Sequence, residues 1–119
     1  MTRLIELKHV GPRKHVQRLL DGLIDRVAEK LQGVPEEATS MHVVFEENTA
    51  HKLYRISLTC HVPGRLVVAR EEGHKPGLII RDAFAELERQ LEKQLAIMRH
   101  RLQRRQGMRT RRRALVEDE

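Results

Sequence analysis

The chain changes its hydrophobic period several times, and each change marks an element. Residues 3–10 (RLIELKHV) alternate imperfectly between apolar and polar and stop at Gly11-Pro12, which predicts a first strand ending in a turn. Pro12 suits the first position of a helix, where its missing N–H costs nothing. Val16, Leu19, Leu20, Leu23, Ile24, Val27 and Leu31 then recur at three- and four-residue steps. They form one apolar stripe, and Gly33 is placed to cap the helix. The opposite side carries Arg13, Lys14, Gln17, Arg18, Asp21, Asp25, Arg26, Glu29 and Lys30, so this helix packs through one side only.

From Met41 the period becomes two. Met41, Val43 and Phe45 point one way, and His42, Val44 and Glu46 the other, up to the turn residues 47–50 (ENTA). Between Leu53 and Val62, Tyr54, Ile56, Leu58, Cys60 and Val62 share a side, with Arg55, Ser57, Thr59 and His61 opposite. Pro63-Gly64 is a tight-turn pair, residues 65–71 (RLVVARE) complete a hairpin, and residues 72–77 (EGHKPG) read as a loop. The last element has Ile80, Phe84, Leu87, Leu91, Leu95, Met98 and Leu102 at helical spacing, which predicts a helix over about 78–104. At 1.5 Å per residue it is roughly 40 Å long, more than strands of roughly 17–20 Å can cover, so its second half is expected to project. Gly107 is expected to end the regularity, leaving residues 105–119 as a flexible arginine-rich tail with an acidic end, apart from a domain of residues 1–104. The order β-α-β-β-β-α, with one polar sheet face, predicts an α+β two-layer sandwich: a four-stranded sheet with two helices on one face.

Charge alters this picture at one place. The 119 residues carry a formal net charge of +6. Fifteen of the 23 Lys and Arg share residues 1–98 with 14 of the 17 Asp and Glu, so the body is nearly neutral. Residues 99–113 (RHRLQRRQGMRTRRR) hold eight arginines and no acid, and Glu117, Asp118 and Glu119 close the chain. Such a segment is the electrostatic footprint of a polyphosphate partner such as RNA. Arginine favours bidentate phosphate contacts.

The other chemistry is sparse. A single cysteine, Cys60, excludes an intramolecular disulfide framework and a cysteine-rich zinc site, and fits a reducing compartment. Neither a spanning apolar run nor a signal-peptide core is present, and the expected location is cytoplasmic, without a membrane partner. The seven histidines are scattered, with no metal-ligand spacing. No nucleophile elbow, phosphate loop or carboxylate pair points to catalysis, so neither enzyme activity, cofactor nor small-molecule substrate is expected. Phe45, Tyr54 and Phe84 fall on core sides, which leaves no residues for base stacking on the sheet. Binding by charge and shape remains.

The element order and body of the chain, about residues 3–104, resemble the ribosome hibernation promoting factor and ribosome-associated inhibitor family. The most specific likeness is the run LERQLEK at residues 87–93 of the last helix, supported by the meander ending at a glycine-containing loop. The resemblance implies a factor of the short type, without a dimerisation domain and monomeric when free. Such a factor binds the small ribosomal subunit in the channel for messenger and transfer RNA, where basic residues on both helices touch ribosomal RNA. The chain departs from the family at Lys75-Pro76-Gly77, where many relatives carry an acidic residue, an apolar one and a tyrosine.

The candidate RNA contacts are Arg13, Lys14, Arg18, Arg26 and Lys30 on the first helix, and Lys75 before the second. Arg89, Lys93, Arg99, His100, Arg101 and Arg104 follow along the second, then Arg105, Arg109, Arg111, Arg112 and Arg113 in the tail. Ion pairing with Glu86, Glu88 and Glu92 competes with this role on the last helix, and a solvated surface competes on the first. Two other functions fit the same pattern. One is a general double-stranded RNA-binding module, which binds any duplex without ribosome preference. The other is a protein-interaction regulator whose last helix pairs with a partner helix, and whose binding survives charge reversal of the tail.

Overall fold

A computed structural model describes the chain except Val10, Pro12, Asp118 and Glu119, and except the side chains of Arg13, Leu102, Gln103 and residues 105–117. It contains β1 (Thr2–Lys8), α1 (Arg13–Lys30), β2 (Ser40–Asn48), β3 (Leu53–Val62), β4 (Arg65–Gly73) and α2 (Pro76–Glu117). A single 3-10 turn at Glu36–Ala38, which no periodicity announced, precedes β2. The expected helix start at Pro12 lies outside the described residues.

The strands lie in the order β1-β2-β3-β4. β1 runs parallel to β2, with Thr2 beside Ser40 and Lys8 beside Glu46. A parallel neighbour needs a long crossover, and α1 provides it. The other two pairings are antiparallel. Gly64 (φ 76°) makes the two-residue reversal between β3 and β4, and Gly33 (φ 90°) takes the left-handed position after α1, where glycine has no Cβ penalty.

Register explains the core. Met41 pairs with Cys60, Val43 with Leu58 and Phe45 with Ile56, while Leu58 and Cys60 meet Ala69 and Val67 on the far side. All eight are buried, together with Leu20, Ile24, Val27 and Leu31 of α1 and Ile79, Ile80, Ala83, Phe84 and Leu87 of α2. α1 and residues 76–89 of α2 therefore cover one face of the sheet, and the α+β sandwich expected from the sequence is the observed fold. The Phe45 and Tyr54 rings stack at 5.9 Å between centroids with planes 12° apart, extending the core toward the β2–β3 turn. Desolvation there, then the charge of Glu47 and a hydrogen bond to its carboxylate, raises the Tyr54 pKa.

Two sequence expectations need correction. The loop of residues 72–77 is shorter than expected: β4 reaches Gly73 and α2 already begins at Pro76. The ring fixes φ at the first helical position, whose N–H would have no partner within the helix, and the Lys75 carbonyl accepts the Ile79 N–H at 3.1 Å. At the other end the helix does not stop near 104 or at Gly107 but continues to Glu117. An interior glycine costs about 1 kcal/mol against alanine, and its Gln, Met and Arg neighbours are good helix formers, so one glycine does not terminate it. The chain divides into two compact units, Met1–Arg89 and Gln90–Glu119.

Candidate nucleic-acid interface

Backbone geometry decides which cations face solvent. With one stripe of α1 buried, its remaining positions are turned outward, and Lys14 and Arg18 are exposed there. These two, with Gln17, border a groove floored by Ile5 and Leu7 of the edge strand β1. No carboxylate lines this groove, which makes its lip locally positive. The groove is open and shallow, suited to a chain of phosphates or an extended segment rather than an enclosed small molecule.

Arg26 and Lys30 are differently placed. Both reach the same carboxylate oxygen, Glu88 Oε2, at 3.4 Å, which ties α1 to α2. The Glu88 side chain is only 12% exposed, and its Oε1 is buried with no hydrogen-bond partner. A half-buried carboxylate needs positive neighbours to offset its desolvation, so these two cations serve the helix–helix contact. Arg89 is held by Glu86 through two hydrogen bonds of 2.9 and 2.7 Å, and this pairing raises its pKa further. Lys75 is exposed at the start of α2.

In the unit Gln90–Glu119, Lys93, Arg99, His100, Arg101 and Arg104 are exposed. Arg105, Arg109, Arg111, Arg112 and Arg113 belong to the same helix, and their side chains, like that of Arg13, lie outside the described residues. Among the described residues, no three His, Cys, Asp or Glu side chains gather as a metal site would require.

Sequence reasoning missed two features. Glu88 stood out only as an acid near Arg89, because its partners lie on another helix some sixty residues earlier; no local spacing announces that contact. Arg81, exposed on the first turns of α2 beside Asp82, is not among the sequence candidates.

Residues 8–99 match the family model described as sigma 54 modulation protein / S30EA ribosomal protein. The chain belongs to that family. Members of the S30EA family are ribosome-associated factors, and the fold agrees with membership. The N-terminal domain of Protein Y from Thermus thermophilus superposes with a TM-score of 0.66 at 19% identity, covering 78% of this chain and 98% of that domain. A ribosomal subunit interface protein from Coxiella burnetii gives 0.56 at 20% identity, covering 81% of this chain and 99% of its own. No curated protein matches the chain in sequence. The S30EA match includes both helix faces of the body and Lys75, and it stops where the arginine run begins.

Proposed function

We propose that this chain is a hibernation factor that inhibits translation by occupying the decoding channel of the small ribosomal subunit, where it contacts ribosomal RNA. Membership of the S30EA family over residues 8–99 carries this reading. The exposed cations Lys14 and Arg18 on α1 and Lys93, Arg99, His100, Arg101 and Arg104 along α2 suit phosphate contacts. Arg13, Lys75 and Arg105, Arg109, Arg111, Arg112 and Arg113 complete the set by sequence. Arg26, Lys30 and Arg89 join them only at the expense of their carboxylate partners.

The action is occlusion rather than catalysis. A rigid sandwich held in the channel takes the space of messenger and initiator transfer RNA, and specificity comes from the shape of the channel while charge supplies affinity. On this reading residues 1–104 are the ribosome-binding domain and residues 105–119 an attached tail; the protein is monomeric when free and works in the cytoplasm. No described helix is long and apolar enough to cross a membrane.

Co-sedimentation with purified ribosomal subunits across a salt series tests the reading, comparing the full chain with one ending at Met98. The full chain is expected to travel with the small subunit and to compete with initiator transfer RNA, and the shorter chain to bind it more weakly with a flatter salt dependence. Binding to subunits no better than to unrelated duplex RNA overturns it.

A further inference from the structure

We infer that the arginine run of residues 99–113 is a polyanion-binding element in its own right, starting where the S30EA match ends, and that it supplies the larger part of the salt dependence of RNA binding, while the body contributes shape and fewer phosphate contacts. The inference deepens the proposed function and rests on it for ribosomal RNA as the natural ligand.

Three observations carry it. First, several cations of the body are committed to carboxylates: Arg3 to Asp25 at 2.7 Å, Arg26 and Lys30 to Glu88, Arg55 to Glu72 at 3.3 Å and Arg89 to Glu86. A phosphate that takes over such a cation displaces a carboxylate, so little of the favourable counterion release from RNA is gained in net terms. Second, the run has eight arginines, no lysine and no acid within fifteen residues, against near-neutrality in residues 1–98. Third, the S30EA match ends at residue 99, while the backbone remains helical to Glu117.

The run's chemistry follows from helical spacing. Arg101 with Arg104 and Arg105, then Arg105 with Arg109, and Arg109 with Arg112 and Arg113, stand three or four residues apart. Like charges at those intervals repel on a helix. A ligand with dense negative charge relieves that repulsion, and an exclusive use of arginine favours forked contacts to phosphate oxygens. Structured RNA, with phosphates closely spaced along two strands, fits this requirement.

The test uses the full-length protein in four forms: unaltered; R109Q/R111Q/R112Q/R113Q; the same four positions changed to lysine; and R65Q/R70Q, two exposed cations of β4 outside the candidate interface. Each is titrated against a short RNA duplex of non-ribosomal sequence and against purified small subunits, between about 50 and 200 mM salt. The glutamine variant is expected to lose about 3 units from the log–log salt slope on the duplex, at roughly 0.7–0.9 per phosphate contact. The lysine variant is expected to keep its slope, as is the β4 variant. An unchanged slope in the glutamine variant, or an equal loss in the β4 variant, overturns the inference. Subunit preference is read separately, as the ratio of subunit to duplex affinity. If that ratio is absent while the slopes behave as expected, the hibernation reading fails and the polyanion element stands.

Discussion

Gly22 and Gly73 both sit in regular structure, and one added methyl group has opposite consequences at the two. Gly22 lies inside α1, exposed, with nothing within 4 Å of a would-be Cβ. Gly22→Ala is expected to stabilise the protein by about 0.5–1 kcal/mol through the lower entropy of the unfolded chain. At Gly73 the Cβ would stand 2.9 Å from Ile79 Cγ2, at the close passage from β4 into α2. Gly73→Ala is expected to cost about 1–3 kcal/mol, and Ile79→Ala in the same chain to cost less than it does alone, because the clash is then gone. Urea denaturation of these four variants beside the unaltered chain checks all three statements.

Cys60 gives a second test at this scale. Burial pushes its thiol from 9.0 up to about 11, so at neutral pH it is protonated as well as enclosed, and a thiol reagent should react only after unfolding. Because the folded-state pKa is the higher one, the associated stability is present in full below about pH 9 and is lost as pH rises toward 11. Thermal midpoints are expected to fall across that window and to fall less in Cys60→Ala. Tyr54, also raised, supplies part of the remaining decline. A curve unchanged by Cys60→Ala would assign the decline to Tyr54 and other groups.

Between elements, the α1–α2 contact depends on Glu88, which faces Arg26 and Lys30 at 3.4 Å each. Glu88→Gln leaves the shape but removes the charge that both cations share. Partly exposed pairs contribute little individually, so a loss of about 1 kcal/mol is expected in denaturant unfolding. RNA affinity should rise as Arg26 is released to phosphate; unaltered or weaker binding would show that Arg26 is not near the RNA. The same contact shows where sequence reading runs out. Stripes at three- and four-residue steps located Leu20, Ile24, Val27 and Leu31, and alternation located Met41, Val43, Phe45, Ile56, Leu58 and Cys60, because burial imposes those periods. Ile79 and Ala83 lie outside that stripe and are buried all the same, since a helix packed against a sheet covers a wider strip than one line of side chains. The pairing of Glu88 with α1 depends on how two helices pack, and neither segment encodes it alone. Composition located the candidate cations, yet only coordinates separated Lys14 and Arg18 on an open groove from Arg26, Lys30 and Arg89 at carboxylates. The end of α2 was misjudged because Gly107 was read as a stop when it is only a modest cost.

For the whole molecule, core and charge occupy different parts of the chain. Among the described residues, every buried apolar side chain lies between Leu20 and Leu91, whereas the arginine run starts at residue 99. A chain ending at Met98 is therefore expected to keep its thermal midpoint within about 2 °C, well below the ~4–8 °C that 1 kcal/mol moves a domain of this size, while its RNA binding weakens. A large drop in the midpoint would mean that the last turns of α2 support the fold, and truncation would then be no clean probe of charge.

The place of β1 has a consequence for how the molecule assembles. Strands β2, β3 and β4 follow one another through short turns, so their pairing closes small loops and can form quickly. β1 precedes the other described strands in the chain but finds its neighbour among them, β2, across the whole of α1. The N-terminal strand must therefore wait for the meander and the first helix, and it should be the last segment secured on folding and the first to detach.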